Sequence, residues 1–206
     1  MIVNPEIEKY ILDLIPPRDE ILAEMEAEAK RESIPIVGPA VGAFLAVLVL
    51  SSQSKRIFEL GSAIGYSTTW LARAAGPGAE VHYTDSSPAN AERARRYLER
   101  AGVADRVHIH VGDALTALAE VSGEFDFILN DVNKDGYPAV LTAACGRLKR
   151  GGLLVSDNTL WHERVLNPPD ETSRAVVEFN SKLFTSSDFM ACLIPLRDGL
   201  TVGVKR

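Results

Sequence analysis

The feature that most constrains the fold of this sequence is the alternation of short apolar runs with amphipathic segments from residue 56 onward. The apolar runs predict strands at 56–60, 80–84, 107–111, 125–129 and 153–156. The segments that follow each of them predict helices at 68–75, 88–101, 114–121, 138–148 and 172–183. Strands that alternate with helices in this way build a doubly wound α/β fold around a mostly parallel sheet.

Two further apolar runs, 189–196 and 200–204, end the sequence. Only the turn Arg197-Asp198-Gly199 separates them, so these two strands must pair antiparallel. We therefore expect a mostly parallel sheet with an antiparallel C-terminal strand. Open sheets of this kind bind ligands beyond the carboxyl ends of their strands, and most of those ends here carry a glycine or a carboxylate.

The N-terminal quarter of the sequence predicts helices. Residues 1–32 are charged and rich in helix formers, with a break at Pro16-Pro17. The apolar run Val37–Leu50 is shorter than the ~20 residues that span a bilayer, so it predicts a buried helix that begins after Pro39. The expected organisation is a single domain over 1–206, with a helical extension at 1–51 and an α/β core at 52–206.

Composition and charge exclude several classes of protein. The sequence has 28 acidic and 22 basic residues, a net charge of −6, so it lacks the basic surface of a nucleic-acid binder. Its two cysteines cannot form a disulfide framework, which indicates a reducing cytoplasm. The first residues show no signal-peptide pattern, and neither a membrane nor a nucleic acid is expected as a partner.

A glycine-containing loop follows the first predicted strand. Gly61 and Gly65 are spaced as GxxxG, which is neither the dinucleotide fingerprint GxGxxG nor a phosphate-binding loop. Asp85 ends the next strand, where a carboxylate can accept both hydroxyls of a ribose. A nicotinamide-dependent oxidoreductase shares these features, although the glycine spacing and the lack of a Tyr-x-x-x-Lys pair count against it. Simple chain turning and helix capping remain the structural alternative.

Hard oxygen ligands follow the fourth and fifth predicted strands. Asp131 and the pair Asp157-Asn158 offer two carboxylates and an amide, a set that suits Mg²⁺ or Ca²⁺ with positions left for substrate oxygens. Helix capping is the alternative for each residue alone. Lys134 lies three residues after Asp131, and a lysine beside a dication can serve as a general base.

Four motifs in order give the sequence a resemblance to a known family. They are ELGSAIGYS at 59–67, VGDA at 111–114, DVNKDGY at 131–137 and SDNTLW at 156–161. Together they resemble the cation-dependent, S-adenosylmethionine (SAM)-dependent O-methyltransferases, the group that contains catechol and caffeoyl-CoA O-methyltransferases. The resemblance implies a Rossmann-like class I methyltransferase sheet, SAM as cofactor and a divalent cation, most simply Mg²⁺, with Ca²⁺ or Mn²⁺ as alternatives.

The resemblance also implies roles for individual positions. Residues that would contact SAM are Val37, Glu59, Gly61, Ser62, Ser67, Asp85, Asp113, Ala114 and Asn133. The metal ligands would be Asp131, Asp157 and Asn158, and the catalytic residues would be Lys134, as the family's catalytic lysine, and Asp131. Residues expected near the substrate are Trp161, His162 and Asn180. Small bacterial relatives are often homodimers, so a homodimer is expected.

Several positions depart from the family pattern. The family usually has Gly two residues after the Trp of its fourth motif, where this sequence reads Trp161-His162-Glu163, and His162 falls where some relatives contact substrate. Val177 stands where an Arg is common. Asn180 lies near the position of an acid that grips the second hydroxyl of a catechol, and Asn130 is polar where relatives are apolar. These differences bear on the substrate rather than on the cofactor.

The leading hypothesis is an enzyme that methylates an oxygen of a small catechol-like or other vicinal-hydroxyl compound, with a phenolic small molecule as its partner. A divalent cation favours the phenolate of a substrate whose hydroxyl has an ordinary pKa near 10. The alternatives are an NAD(P)-dependent Rossmann oxidoreductase and a module that binds the cofactor without turnover.

Overall fold

The computed structural model describes residues 4–206 of the chain. The predicted N-terminal extension is helical within this range, and its first three residues lie outside the described part. Its helices are α1 (Pro5–Leu14), α2 (Glu20–Glu32) and α3 (Gly38–Ser52). The side chains of Asn4 and Asp19 cap α1 and α2 by accepting from the backbone N–H groups of Glu6 and Leu22.

The core is one seven-stranded sheet. Its strands are β1 (Arg56–Leu60), β2 (Glu80–Asp85), β3 (Val107–Val111), β4 (Phe125–Asn130), β5 (Leu148–Ser156), β6 (Phe189–Ile194) and β7 (Leu200–Lys205). They lie in the order β3-β2-β1-β4-β5-β7-β6, in which β7 runs antiparallel to both of its neighbours and the other pairs are parallel. The predicted fold class is therefore confirmed, including the antiparallel strand at the C-terminal end.

Helices cover both faces of the sheet, as the apolar stripes of their sequences require. Those that follow α3 are α4 (Tyr66–Ala75), α5 (Pro88–Arg100), α6 (Ala114–Glu120), α7 (Tyr137–Arg147) and α8 (Glu171–Thr185). One apolar core lies between the sheet and α2 to α5, and a second lies between the sheet and α6 to α8. No helix in the described range 4–206 combines the length and the apolar character that crossing a membrane requires.

Several predicted bounds differ from the structure; for example, α3 begins at Gly38 rather than after Pro39, and β6 ends at Ile194 rather than at 196. The helix predicted to reach residue 148 ends at Arg147, because Leu148 already pairs with Phe125 as the first residue of β5. Leu153 pairs with Phe127, so the residues between form a bulge in which Gly151 has a φ of 81°. The apolar helix α3 buries one face only, and Val47 and Leu50 are exposed.

The sheet places the loops that follow β1, β2, β4 and β5 at one edge. Asn130 of β4 is in register with Ser156 of β5, and the backbone N–H of Asp157 donates to the carbonyl oxygen of Asn130 at 3.1 Å. The prediction that Asp131 and Asp157 follow adjacent strands is therefore confirmed.

Candidate functional site

An open cavity of about 1290 Å³ lies at the carboxyl ends of the parallel strands. Helices α1 and α2 close one side of it, through residues that include Ile11, Leu12 and Ala29. Its carboxylates belong to Glu8, Glu26, Asp85, Asp113, Asp131, Asp135 and Asp157. The cavity is lined by fewer basic residues, namely Lys30, Lys134 and Arg197. The lining is therefore acidic and favours a ligand that carries positive charge.

The glycine loop enters this cavity at Gly61. Gly61 has a φ of 85°, and a Cβ atom built on it would lie 2.5 Å from the backbone oxygen of Asp131. The backbone N–H of Asp131 in turn donates to the carbonyl oxygen of Leu60 at 2.8 Å. A glycine is required here because the loop after β1 and the loop after β4 meet backbone to backbone.

Asp85 lies at the end of β2 and faces the same cavity. Its Oδ2 accepts from the backbone N–H of Ala63 at 3.0 Å, and its Oδ1 accepts from the N–H of Ser87 at 2.8 Å. The amide of Asn90 donates to Oδ1 at 3.2 Å. These bonds fix the carboxylate against the glycine loop, and each oxygen retains acceptor capacity toward a ribose.

The other residues predicted to contact SAM divide into two groups. Asp113, Ala114 and Asn133 line the cavity. The residues that do not line it, and support it from behind, are Val37, Glu59, Ser62 and Ser67, all of them buried. The backbone N–H of Ser62 donates to the carbonyl oxygen of Thr84 at 2.9 Å. This hydrogen bond holds the glycine loop against β2.

Glu59 is a fully buried carboxyl at the end of β1. Burial raises its pKa to about 7, while hydrogen bonds from Ser67, Thr68 and Ser62 act in the opposite direction. The hydroxyl of Thr68 donates to Oε2, and Oε1 has no hydrogen-bond partner in the protein. Glu59 does not line the cavity, and Oε1 is a buried acceptor without a donor among the described residues.

Asp131 and Lys134 form an ion pair at the end of β4. The Nζ of Lys134 lies 2.9 Å from Oδ1 of Asp131, 3.3 Å from the carbonyl oxygen of Val132 and 2.8 Å from the hydroxyl of Tyr137. Burial raises the pKa of Asp131, and the charge of Lys134 acts against this rise. Lys134 is only 7% exposed, so its amine is held inside the site rather than in solvent.

Asp157 and Asn158 follow β5 on the opposite side of this ion pair. Burial and the negative charge of Asp131 raise the pKa of Asp157 to about 7, and the nearby Arg197 lowers it. Oδ1 of Asp157 is buried without a hydrogen-bond partner, and Oδ2 lies 3.9 Å from Nη1 of Arg197. Asn158 has a φ of 55°, an unusual conformation that asparagine tolerates better than most residues.

These residues fit a hard divalent cation. The described residues contain no cluster of three or more His, Cys, Asp or Glu side chains that could hold a metal, so the third ligand would be the amide of Asn158. Asp131, Asp157 and Asn158 all line the cavity, and the unpaired Oδ1 of Asp157 is a buried acceptor that needs a positive partner. Two carboxylates and an amide oxygen are suitable donors for Mg²⁺ or Ca²⁺.

Only one of the three residues predicted near the substrate lines the cavity. Trp161 does so, and its ring centroid lies 5.7 Å from Nζ of Lys134. His162 is largely exposed, and its backbone N–H donates to Oδ1 of Asp198 at 2.6 Å. Asn180 does not reach the cavity; its amide donates to the carbonyl oxygen of Thr159 at 2.8 Å. Asn180 therefore supports the loop after β5.

Three residues that contact or brace the site were not among the residues predicted from the sequence. The hydroxyl of Tyr137 joins Lys134 to the loop after β5. Arg197 donates to the carbonyl oxygens of Ile36 and Val37 and lies beside Asp157. Asp198 caps the segment that begins at Trp161. Only the DVNKDGY motif and the turn at Arg197-Asp198-Gly199 signalled these residues, without indicating their contacts.

Comparisons with known proteins give one consistent family. The pattern of the family described as O-methyltransferase matches residues 16–206. The catechol O-methyltransferase of Mycobacterium tuberculosis is 34% identical over 170 residues, which cover 81% of this chain and 77% of that protein. Caffeoyl-CoA O-methyltransferase 1 of Arabidopsis thaliana is 30% identical, covering 98% of this chain and 85% of that protein.

The fold is also similar to that of solved structures. The O-methyltransferase TomG from Streptomyces achromogenes, in complex with SAM, superimposes with a TM-score of 0.89 at 30% identity. The superposition covers 97% of this chain and 96% of that one. The similarity therefore extends over the helical extension and the whole sheet.

Proposed function

Because this chain belongs to the O-methyltransferase family, we propose that it transfers the methyl group of SAM to one oxygen of a small catechol-like compound, with a divalent cation. The expectation of a SAM-dependent O-methyltransferase is confirmed at the level of the family. We propose, beyond the family, that the reaction requires a cation, that the substrate carries vicinal hydroxyls, and that the residues named below have individual roles.

The glycine loop and the strand ends supply the SAM site. When bound, SAM offers a methyl group activated by a positively charged sulfur, which suits the acidic lining of the cavity. Asp85 is placed to accept the ribose hydroxyls, and Asp113 lies beside it at the start of α6. Gly61 lets the backbone of the loop approach the ligand closely.

Asp131, Asp157 and Asn158 would hold the cation at the ends of β4 and β5. When bound, a dication lowers the pKa of a phenolic hydroxyl and so favours the phenolate that attacks the methyl group. In its neutral amine form, Lys134 would be positioned to take the hydroxyl proton on the lone pair of Nζ and become the ammonium. Trp161 walls the same part of the cavity. The single observation that carries the proposal is the unpaired, buried Oδ1 of Asp157 in a residue that lines the same cavity as Asp131 and Lys134.

A matched pair of acceptors tests the proposal. Methyl transfer from SAM is measured to a 3,4-dihydroxyphenyl compound and to the 4-hydroxyphenyl compound that differs by one oxygen. We expect turnover of the first and at least ~10-fold slower turnover of the second, since two vicinal oxygens fix the reacting geometry better than one. Equal rates on both compounds would contradict the vicinal-hydroxyl proposal.

The two alternatives predict other results. A nicotinamide oxidoreductase would bind NADH and not SAM, and the comparisons give it no support. A module without turnover would bind SAM tightly in calorimetry yet methylate no member of a broad panel of phenols. Either result would replace the proposed function.

We also propose that the chain forms a homodimer. Large apolar side chains are exposed on α3, at Val47 and Leu50, and on the β6–β7 edge of the sheet, at Met190 and Val204. Exposed apolar side chains of this size are typical of association surfaces when they are contiguous. Light scattering after size exclusion should give twice the chain mass of 22.4 kDa, and a monomer mass would refute the proposal.

A further inference from the structure

The side chain of Tyr137 lies between the proposed base and the loop that carries two of the proposed metal ligands. Its ring is fully buried and packs edge-on against Phe179 of α8, with centroids 5.2 Å apart and an angle of 68° between the planes. Its hydroxyl lies 2.6 Å from the carbonyl oxygen of Asp157 and 2.8 Å from Nζ of Lys134. One side chain therefore touches the loops after β4 and after β5.

The direction of both hydrogen bonds is fixed by chemistry. A carbonyl oxygen only accepts, so the single hydroxyl proton of Tyr137 goes to Asp157. The hydroxyl oxygen then has only acceptor capacity left, and Lys134 must donate to it. The rigid ring, held by Phe179, thus defines one point in space for the lysine nitrogen.

Lys134 needs such a fixed point, because a lysine side chain has four rotatable bonds and many rotamers. Its other partners, Asp131 and the carbonyl oxygen of Val132, belong to the same short loop as Lys134 itself. Among the hydrogen bonds of Lys134 within the described residues, the one to Tyr137 ties the nitrogen to the neighbouring strand end, through Asp157. The placement of a catalytic group within a fraction of an ångström affects the rate strongly.

We propose that Tyr137 is a positioning residue, whose hydroxyl fixes Nζ of Lys134 relative to the loop after β5. The inference rests on the proposed function, since it assigns Tyr137 a task only if Lys134 takes the substrate proton. Both hydrogen bonds of the Tyr137 hydroxyl go to the loops after β4 and β5 and neither goes to the glycine loop, so we expect it to act on the chemical step and not on SAM binding.

The test is a double-mutant cycle on methyl transfer to a catechol. The variants are Tyr137→Phe, which removes one oxygen, Lys134→Ala, and the two combined. Tyr97→Phe is the matched control, because Tyr97 is also a buried tyrosine, its hydroxyl donates to Glu28, and neither residue lines the cavity. Each variant is measured for kcat, for the KM of SAM and for its melting temperature.

We expect Tyr137→Phe to lower kcat about 10- to 100-fold, with the KM of SAM within about twofold of the unchanged protein. Tyr97→Phe should keep the kcat of the unchanged protein. In the Lys134→Ala background the same Tyr137→Phe change should alter kcat less than about twofold, because the residue it positions is gone.

Three results would overturn the inference, and they are distinguishable. If Lys134→Ala is inactive while Tyr137→Phe keeps full kcat, the inference fails and the proposed base stands. If Tyr137→Phe costs the same factor with and without Lys134, the tyrosine does not act through the lysine. If Lys134→Ala keeps full kcat, the proposed base itself is wrong and the inference falls with it.

A second variant tests the inference if Tyr137→Phe does not fold. Phe179→Leu keeps the hydroxyl but removes the ring against which Tyr137 packs. We expect it to lower kcat severalfold without a change in the KM of SAM, and an unchanged kcat in the folded variant would overturn the inference.

Discussion

At the scale of single residues, Gly61 combines two demands, a left-handed backbone and contact with another backbone. Its φ is 85°, and the nearest obstacle to a Cβ atom is the main chain of Asp131, which cannot rotate away. Gly78 offers a matched comparison, since its φ is 75° and nothing lies within 4 Å of a Cβ atom built there.

Gly61→Ala should therefore destabilise the protein by more than about 2 kcal/mol and remove most of its activity, since it displaces the loop that carries Asp131. Gly78→Ala should cost only about 1 kcal/mol and leave kcat unchanged, because it pays for the backbone conformation alone. Urea denaturation and steady-state kinetics check both. Equal losses of stability in the two variants would contradict the close approach of the two loops.

Glu59 is a second residue with a testable effect, because its buried carboxyl makes the free energy of unfolding depend on pH. The pKa of Glu59 in the folded protein, about 7, exceeds the ordinary value of 4.5. Between these two pH values the folded protein therefore keeps the Glu59 proton, whereas the unfolded chain has released it. Stability from this residue is therefore fully present below about pH 4.5 and decreases as the pH rises toward 7.

Glu59→Gln should remove this dependence. Between pH 5 and pH 7.5 the free energy of unfolding of the unchanged protein without cofactor should fall by up to about 3 kcal/mol more than that of the variant. Denaturant titrations at several pH values measure this, with the exposed Glu99→Gln as control. Parallel curves for the unchanged protein and Glu59→Gln would show that the buried carboxyl does not hold the proton.

At the scale of elements, the turn between β6 and β7 holds the segment that follows β5. Trp161, His162 and Glu163 have consecutive φ values of 47°, 53° and 66°, a left-handed conformation that non-glycine residues rarely adopt. Asp198 supports it through a carboxylate bond to the N–H of His162, and its carbonyl oxygen accepts from Leu160 at 2.9 Å. This turn therefore fixes Trp161 in the wall of the cavity.

Asp198→Ala should loosen that segment while leaving the SAM site intact. We expect the KM of the phenolic acceptor to rise about 10-fold, because a hydrogen bond to a buried carboxylate is worth about 1.5–3 kcal/mol, and the KM of SAM to stay constant. Asp188→Ala is the control, because Asp188 precedes β6 and so lies at the other end of that strand from the turn. A rise in the KM of SAM instead of the acceptor would show that the turn serves the cofactor.

Most of the helices and strands could be predicted from the sequence, but one boundary between them could not. The strands and the adjacency of β4 and β5 followed from apolar periodicity and from the usual strand order of doubly wound sheets. The start of β5 did not, because Leu148 continues the apolar stripe of α7 and only its pairing with Phe125 makes it a strand residue. This boundary is therefore set by a tertiary contact, which the local sequence pattern does not show.

At the scale of the whole molecule, long-range contacts complete the site. Arg197 lies beside Asp157 and binds the carbonyl oxygens before α3, which are about 160 positions away in sequence. No local motif encodes such a contact, so the sequence analysis missed it. The ends of β1, β2, β4 and β5 were predictable as a site because sheet topology alone brings them together.

The central claim is that Asp131, Asp157 and Asn158 hold a dication that the reaction requires. Its most direct test is methyl transfer from SAM to a catechol by protein treated with a chelator, before and after Mg²⁺ is added back. The account predicts that the rate falls to background on chelation, recovers with Mg²⁺, and does not recover in Asp157→Asn, while the control Asp188→Asn recovers fully. A rate that is unchanged by chelation would contradict the account.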